Sequence, residues 1–132
     1  MANILVVDDD FDMADTCSEV LRAAGHTVRI GRDGAEGLAL VHEEKPELVV
    51  LDVEMPVLDG PGMAYKMFVH DLGLEHIPIL LTSGVLDLKT VADRVGTPYF
   101  LGKPFSVKRF LNAVADALSG CIAPRPRVPE PT

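Results

Sequence analysis

Residues 47–52 read ELVVLD, four aliphatic side chains in a row between two acids. Successive side chains of a strand point to opposite faces, so an unbroken apolar run offers hydrocarbon to both. Such a strand belongs inside a parallel sheet covered by helices on each side. Four more runs rich in Val, Ile and Leu recur along the chain: NILVV (3–7), TVRI (27–30), IPILLTS (77–83) and PYFLGK (98–103). The stretches between them carry helical spacing. Met13, Cys17, Val20, Leu21 and Ala24 mark one face, Asp15, Glu19 and Arg22 another, and Gly25 ends the segment. Asp33 and Glu36 stand at capping-box spacing before Leu38, Leu40 and Val41, although Gly34 and Gly37 weaken that helix. Met63, Met67, Phe68 and Leu72 predict a third helix, and Leu88, Val91, Ala92 and Val95 a short fourth. Ser106 caps a fifth, with Phe110, Leu111, Val114 and Leu118 at helical spacing before Gly120. Strands alternating with helices give an α/β fold of the (βα)5 kind.

At 132 residues with 48% hydrophobic content, the chain suffices for one domain with a short remainder. The remainder is residues 120–132, whose last nine residues include four prolines and read as a stiff tail or linker. Arg125 and the Pro126 to Pro129 spacing form only a short SH3-ligand-like pattern, for which a plain linker is the simpler reading. A net charge of −8 with twelve scattered Lys and Arg argues against a nucleic-acid partner. Two cysteines, Cys17 and Cys121, are too few for a disulfide scaffold. With no charged leader and no membrane-length apolar run, the expectation is a reduced, cytoplasmic protein without a membrane partner.

Right-handed crossovers bring the loop after each strand to one sheet edge, where open α/β sheets bind ligands. That edge gathers Asp8, Asp9 and Asp10 after the first strand, Asp52 after the third, Thr82 and Ser83 after the fourth, and Lys103 after the fifth. Clustered carboxylates supply the hard oxygens that suit Mg²⁺, and another carboxylate can serve as a nucleophile toward phosphorus. A lysine and a hydroxyl then stabilise the phosphoryl oxygens. Asp10 and Asp12 are explained more simply as acids opening the next helix.

VVDDD near the start, LDVEMPVLDG in the middle, LLTSG after it and GKPF near the end closely resemble the receiver domain of two-component response regulators. The resemblance spans about residues 3 to 119, so residues 1–119 are read as the receiver. It implies a flavodoxin-like, doubly wound parallel sheet with strand order 2-1-3-4-5, and a signalling domain rather than an enzyme. Carried over, Asp52 looks like the phosphoacceptor for a histidine kinase or histidine phosphotransfer protein. Asp8, Asp9, Asp52 and the main-chain carbonyl of Glu54 look like the Mg²⁺ ligands. Lys103 pairs with the phosphoryl group, Thr82 turns its hydroxyl toward it, and Phe100 is the aromatic that swings inward. The Lys103-Pro104 bond is expected to be cis. The resemblance further implies an output face around residues 85–119, docking a downstream protein target or an output domain outside these residues, or pairing with a second copy. Phe100 stands where Tyr is frequent, Ser83 where Ala is frequent, and Glu54 places an acid beside the site.

Two rivals compete for the same acids. Asp8, Asp10, Asp12 and Glu19 fall at EF-hand positions for Ca²⁺, but Met13 stands where that loop needs glycine and a strand precedes it. Asp8 and Asp10 also make the Asp-x-Asp of a haloacid dehalogenase-like phosphatase, with Thr82 and Lys103 as further motifs, yet the downstream acidic pair is missing and Asp52 has no role. His26, His42, His70 and His76 lack metal-ligand spacing and are read as surface or packing residues.

Overall fold

A computed structural model of the chain describes residues 2–55, 59–69, 76–84 and 87–123, with backbone only at 68 and 69. Leu72, His70 and the prolines from 124 onward, and with them the SH3-like pattern, lie outside the described residues. The elements alternate as expected: β1 Asn3–Val7, α1 Phe11–Ala23, β2 Thr27–Gly31, α2 Gly34–Glu43, β3 Leu48–Asp52, α3 Gly60–Val69, β4 Ile79–Ser83, α4 Leu88–Val95, β5 Tyr99–Gly102 and α5 Val107–Gly120. All strand pairs are parallel and the order is β2-β1-β3-β4-β5. The doubly wound topology is therefore the one the strand patterns and the resemblance implied.

The central strands divide their side chains between two cores. Leu5, Val7, Val49, Leu51, Ile79 and Leu81 pack with Met63, Met67, Ala92 and Val95 on one face. Ile4, Val6, Leu48, Val50 and Leu80 pack with Leu21 of α1 and Phe110 and Val114 of α5 on the other. Each fully buried aliphatic side chain contributes about 2 kcal/mol, in keeping with the unbroken aliphatic runs 4–7, 48–51 and 79–81 of β1, β3 and β4. The edge strands are less apolar because one flank meets water: Thr27 in β2 and Phe100 in β5 are exposed.

Local chemistry fixes the element ends. Asp10 Oδ1 accepts the Met13 N–H at 3.1 Å and caps α1, and Ser106 Oγ accepts the Arg109 N–H at 3.1 Å and caps α5. Asp33 accepts from the Glu36 N–H at 2.8 Å, but the Glu36 carboxylate returns to the Arg32 N–H at 2.6 Å, one residue earlier than a reciprocal capping box requires. Gly25 follows α1 with φ 98°, as a helix-ending glycine should. The core face of α1 differs from expectation at its end. Ala24 is the exposed cap residue, and Ala14 and Ser18 complete the buried stripe.

Candidate functional site

Because every strand runs the same way, the carboxyl ends of β1, β3, β4 and β5 meet at one edge. Asp8 follows β1, Asp52 closes β3, Thr82 lies beside Asp52 in the β3–β4 register, and Lys103 follows β5. One carboxylate oxygen each from Asp8, Asp9 and Asp52 lies within 4.8 Å of the others. Asp8 and Asp52 are buried and Asp9 is exposed. At that separation two such charges repel by about 3 kcal/mol at an effective dielectric near 20.

Lys103 offsets part of this. Its Nζ donates to Asp8 Oδ2 at 2.9 Å and to Asp52 Oδ1 at 3.2 Å. The second Asp8 oxygen accepts the Asp10 N–H at 3.0 Å, and the Asp8 N–H donates to the Gly31 carbonyl at 3.1 Å, so Asp8 is held from three sides. Burial, reinforced by the neighbouring Asp8 charge, pushes the Asp52 carboxyl up to about 6 in spite of Lys103. Lys103 is pulled down by burial, but its hydrogen bond to Asp8 and the charges of Asp8 and Asp52 outweigh that and raise it above the ordinary lysine value. One ammonium faces three carboxylates. The donor set is all hard oxygen with excess negative charge, so the residues present fit a divalent cation such as Mg²⁺.

Thr82 is buried next to Asp52. Phe100 of β5 pairs with Leu81 of β4, belongs to neither core and is 39% exposed, so its ring is turned outward in this structure. Glu54 is exposed in the segment leaving β3. The Lys103-Pro104 bond is cis. Asp10 spends its carboxylate on the α1 cap, while Asp12 and Glu19 are exposed along α1, separated by about 10 Å of helical rise. These acids cannot converge on one ion, which removes the Ca²⁺-loop reading, and Asp10 is not placed to act as the second acid of a phosphatase. Cys17 is buried, and burial together with Asp8, against the pull of Lys103, pushes its thiol up to about 11, which disfavours the thiolate.

One site residue escapes a reading by charge. The first residue of α3, Gly60, donates its N–H to the Val53 carbonyl at 3.0 Å, and a Cβ there would run into the Asp52 carbonyl oxygen. The signal was a glycine opening a helix, where glycine is a poor former.

Comparison with known proteins agrees with this geometry. The family model described as the response regulator receiver domain matches residues 4–115. PilH of Pseudomonas aeruginosa is 31% identical, the match covering 91% of this chain and all of that protein. Sporulation initiation phosphotransferase F of Bacillus subtilis is 31% identical, over 84% of this chain and 89% of that one. The transcriptional regulatory protein PrrA of Mycobacterium tuberculosis is 36% identical over 77% of this chain, which spans only 43% of that protein. Among solved structures, a putative response regulator from Chloroflexus aurantiacus superposes with a TM-score of 0.83 at 30% identity, covering 89% of this chain and 98% of that one. The chain belongs to the receiver domains of two-component response regulators. It is a signalling domain, and neither the Ca²⁺-loop nor the phosphatase reading finds support in these relatives.

Proposed function

We propose that Asp52 is the phosphoacceptor, taking a phosphoryl group from a phosphohistidine of a histidine kinase or phosphotransfer protein. An Asp52 oxygen attacks phosphorus, the phosphorus–nitrogen bond breaks, and the electron pair leaves with the imidazole of the donor. The observation that carries this reading is the Lys103 ammonium bridging Asp8 and Asp52 beside Thr82. Lys103 keeps Asp52 oriented before transfer and meets the phosphoryl oxygens afterwards, while the Thr82 hydroxyl turns to a phosphoryl oxygen. Asp8, Asp9, Asp52 and the Glu54 main-chain carbonyl would hold Mg²⁺, which when bound neutralises charge on the transferring group.

The phosphoryl group adds charge and acceptor oxygens, so contacts from Thr82 and Lys103 exist only in the phosphorylated state and bias a two-state equilibrium. Inward movement of Phe100 would follow, changing the face built from α4, β5 and α5. That face docks a downstream target, an output domain or a second copy. Residues 1–119 act as the receiver unit, in the cytoplasm, and 120–132 as a Pro-rich tail or linker. The domain promotes only its own phosphorylation, from that donor, and its own dephosphorylation.

Incubation with acetyl phosphate and Mg²⁺, followed by intact mass, tests the proposal. The mass rises by one phosphoryl group in the parent and not in Asp52→Asn. An unchanged parent mass, or an increase that survives the substitution, overturns it.

A further inference from the structure

Strand β5 is four residues long and has a contact at each end. Just past its carboxyl end, Lys103 engages Asp8 and Asp52. At its amino end, half-buried Tyr99 packs against the core beneath α5, and its hydroxyl accepts the Ile122 N–H at 3.2 Å, immediately beyond α5. Two further observations converge there. A Cβ on Gly120 would collide with the Tyr99 hydroxyl, so the helix end and the ring lie in direct contact. Cys121 takes a left-handed φ of 53°, and it is the only non-glycine residue with positive φ among the described residues. Such a conformation is disfavoured outside glycine and persists where surrounding contacts hold it.

We infer that the Tyr99 hydroxyl is a clasp linking the direction in which the chain leaves α5 to the position of β5. It rests on the phosphoacceptor reading for its input. The two ends of the lever are about 13 Å apart along one strand. When Lys103 moves from the Asp8 carboxylate to the phosphoryl oxygens, the strand carrying it shifts, and the Tyr99 hydroxyl withdraws from Ile122. Residues 120–123 are then freed to take another direction. No charge is needed at the clasp, only a single hydrogen bond and the space left by Gly120.

Amide hydrogen exchange at Ile122, read by heteronuclear NMR on the full chain, tests this beside intact mass. Phosphorylation by acetyl phosphate and Mg²⁺ accelerates Ile122 exchange by about fivefold, the effect expected for loss of one net hydrogen bond. In Tyr99→Phe, and in Gly120→Ala where the new Cβ displaces the hydroxyl, exchange is already fast without phosphorylation and responds no further. Exchange at Val114 inside α5 stays at its parent rate throughout. A phosphorylated parent with unchanged Ile122 exchange, or equal exchange in Tyr99→Phe and the parent, overturns the clasp alone. Absence of any mass increase overturns the phosphoacceptor reading, and the relay with it.

Discussion

Asp52 titrates in an environment that opposes its charge, and the sign of the consequence can be worked out. Its carboxyl lies near 6 in the folded chain against 3.8 ordinarily, so between those values the folded state binds more protons than the unfolded one. Stability associated with the protonated form is complete below about pH 4 and is lost as pH rises through 6. In metal-free buffer, Asp52→Asn is therefore more stable than the parent at pH 8 by about 2 to 3 kcal/mol, a gain that disappears near pH 4. Urea unfolding at the two pH values checks this, and an equal effect at both would contradict the assigned cause. On the proposed reading the adjacent acids divide by task. Asp9→Asn abolishes Mg²⁺-dependent phosphorylation, whereas Asp12→Asn, exposed in the first turn of α1, stays within about twofold of the parent rate. Phosphoryl incorporation over time separates the two.

At the level of strands and helices, the start of α3 is the point where packing and chemistry meet. Gly60→Ala would drive a methyl into the Asp52 carbonyl oxygen and the Val53 Cα, both backbone atoms that cannot rotate away. We expect a loss of about 2 kcal/mol in thermal or chemical unfolding, together with slower phosphorylation because Asp52 is displaced. Gly37 answers a similar demand in α2, where a Cβ would press on Val7 and on the Met63 sulfur. Read from composition, Gly37 only weakens a helix. Its reason lies in the approach of β1 and α3, which are distant in sequence. Arg29 was equally hidden: its guanidinium donates to the Leu40 and Glu44 carbonyls at 2.8 and 2.6 Å and satisfies the last turn of α2. By contrast the strands and the caps at Asp10, Asp33 and Ser106 were legible, because their signals are local: apolar runs, or a polar residue just before a periodic segment.

For the protein as one cooperative unit, the candidate site was readable for the same reason as the topology. Parallel strands with helical crossovers leave little choice about where Asp8, Asp52, Thr82 and Lys103 meet. What could not be read is how they meet: that Lys103 spans two carboxylates, that Asp8 is held by the Asp10 amide, and that the Phe100 ring is turned outward. The surplus of negative charge at this junction predicts a response to metal. Mg²⁺ at 100 times its dissociation constant adds about 2.7 kcal/mol of stability to the parent and little to Asp9→Asn, measured as a shift in unfolding midpoint.

The bond between Lys103 and Asp8 closes a loop of 95 residues, tying the loop after the last strand to the loop after the first. A chain emerging from the ribosome thus owns its acidic cluster long before it owns the cation that holds it in order. Until β5 has docked, Asp8 and Asp52 stand without their counter-charge. The charge balance of the junction then arrives late, only once the last strand has joined the sheet.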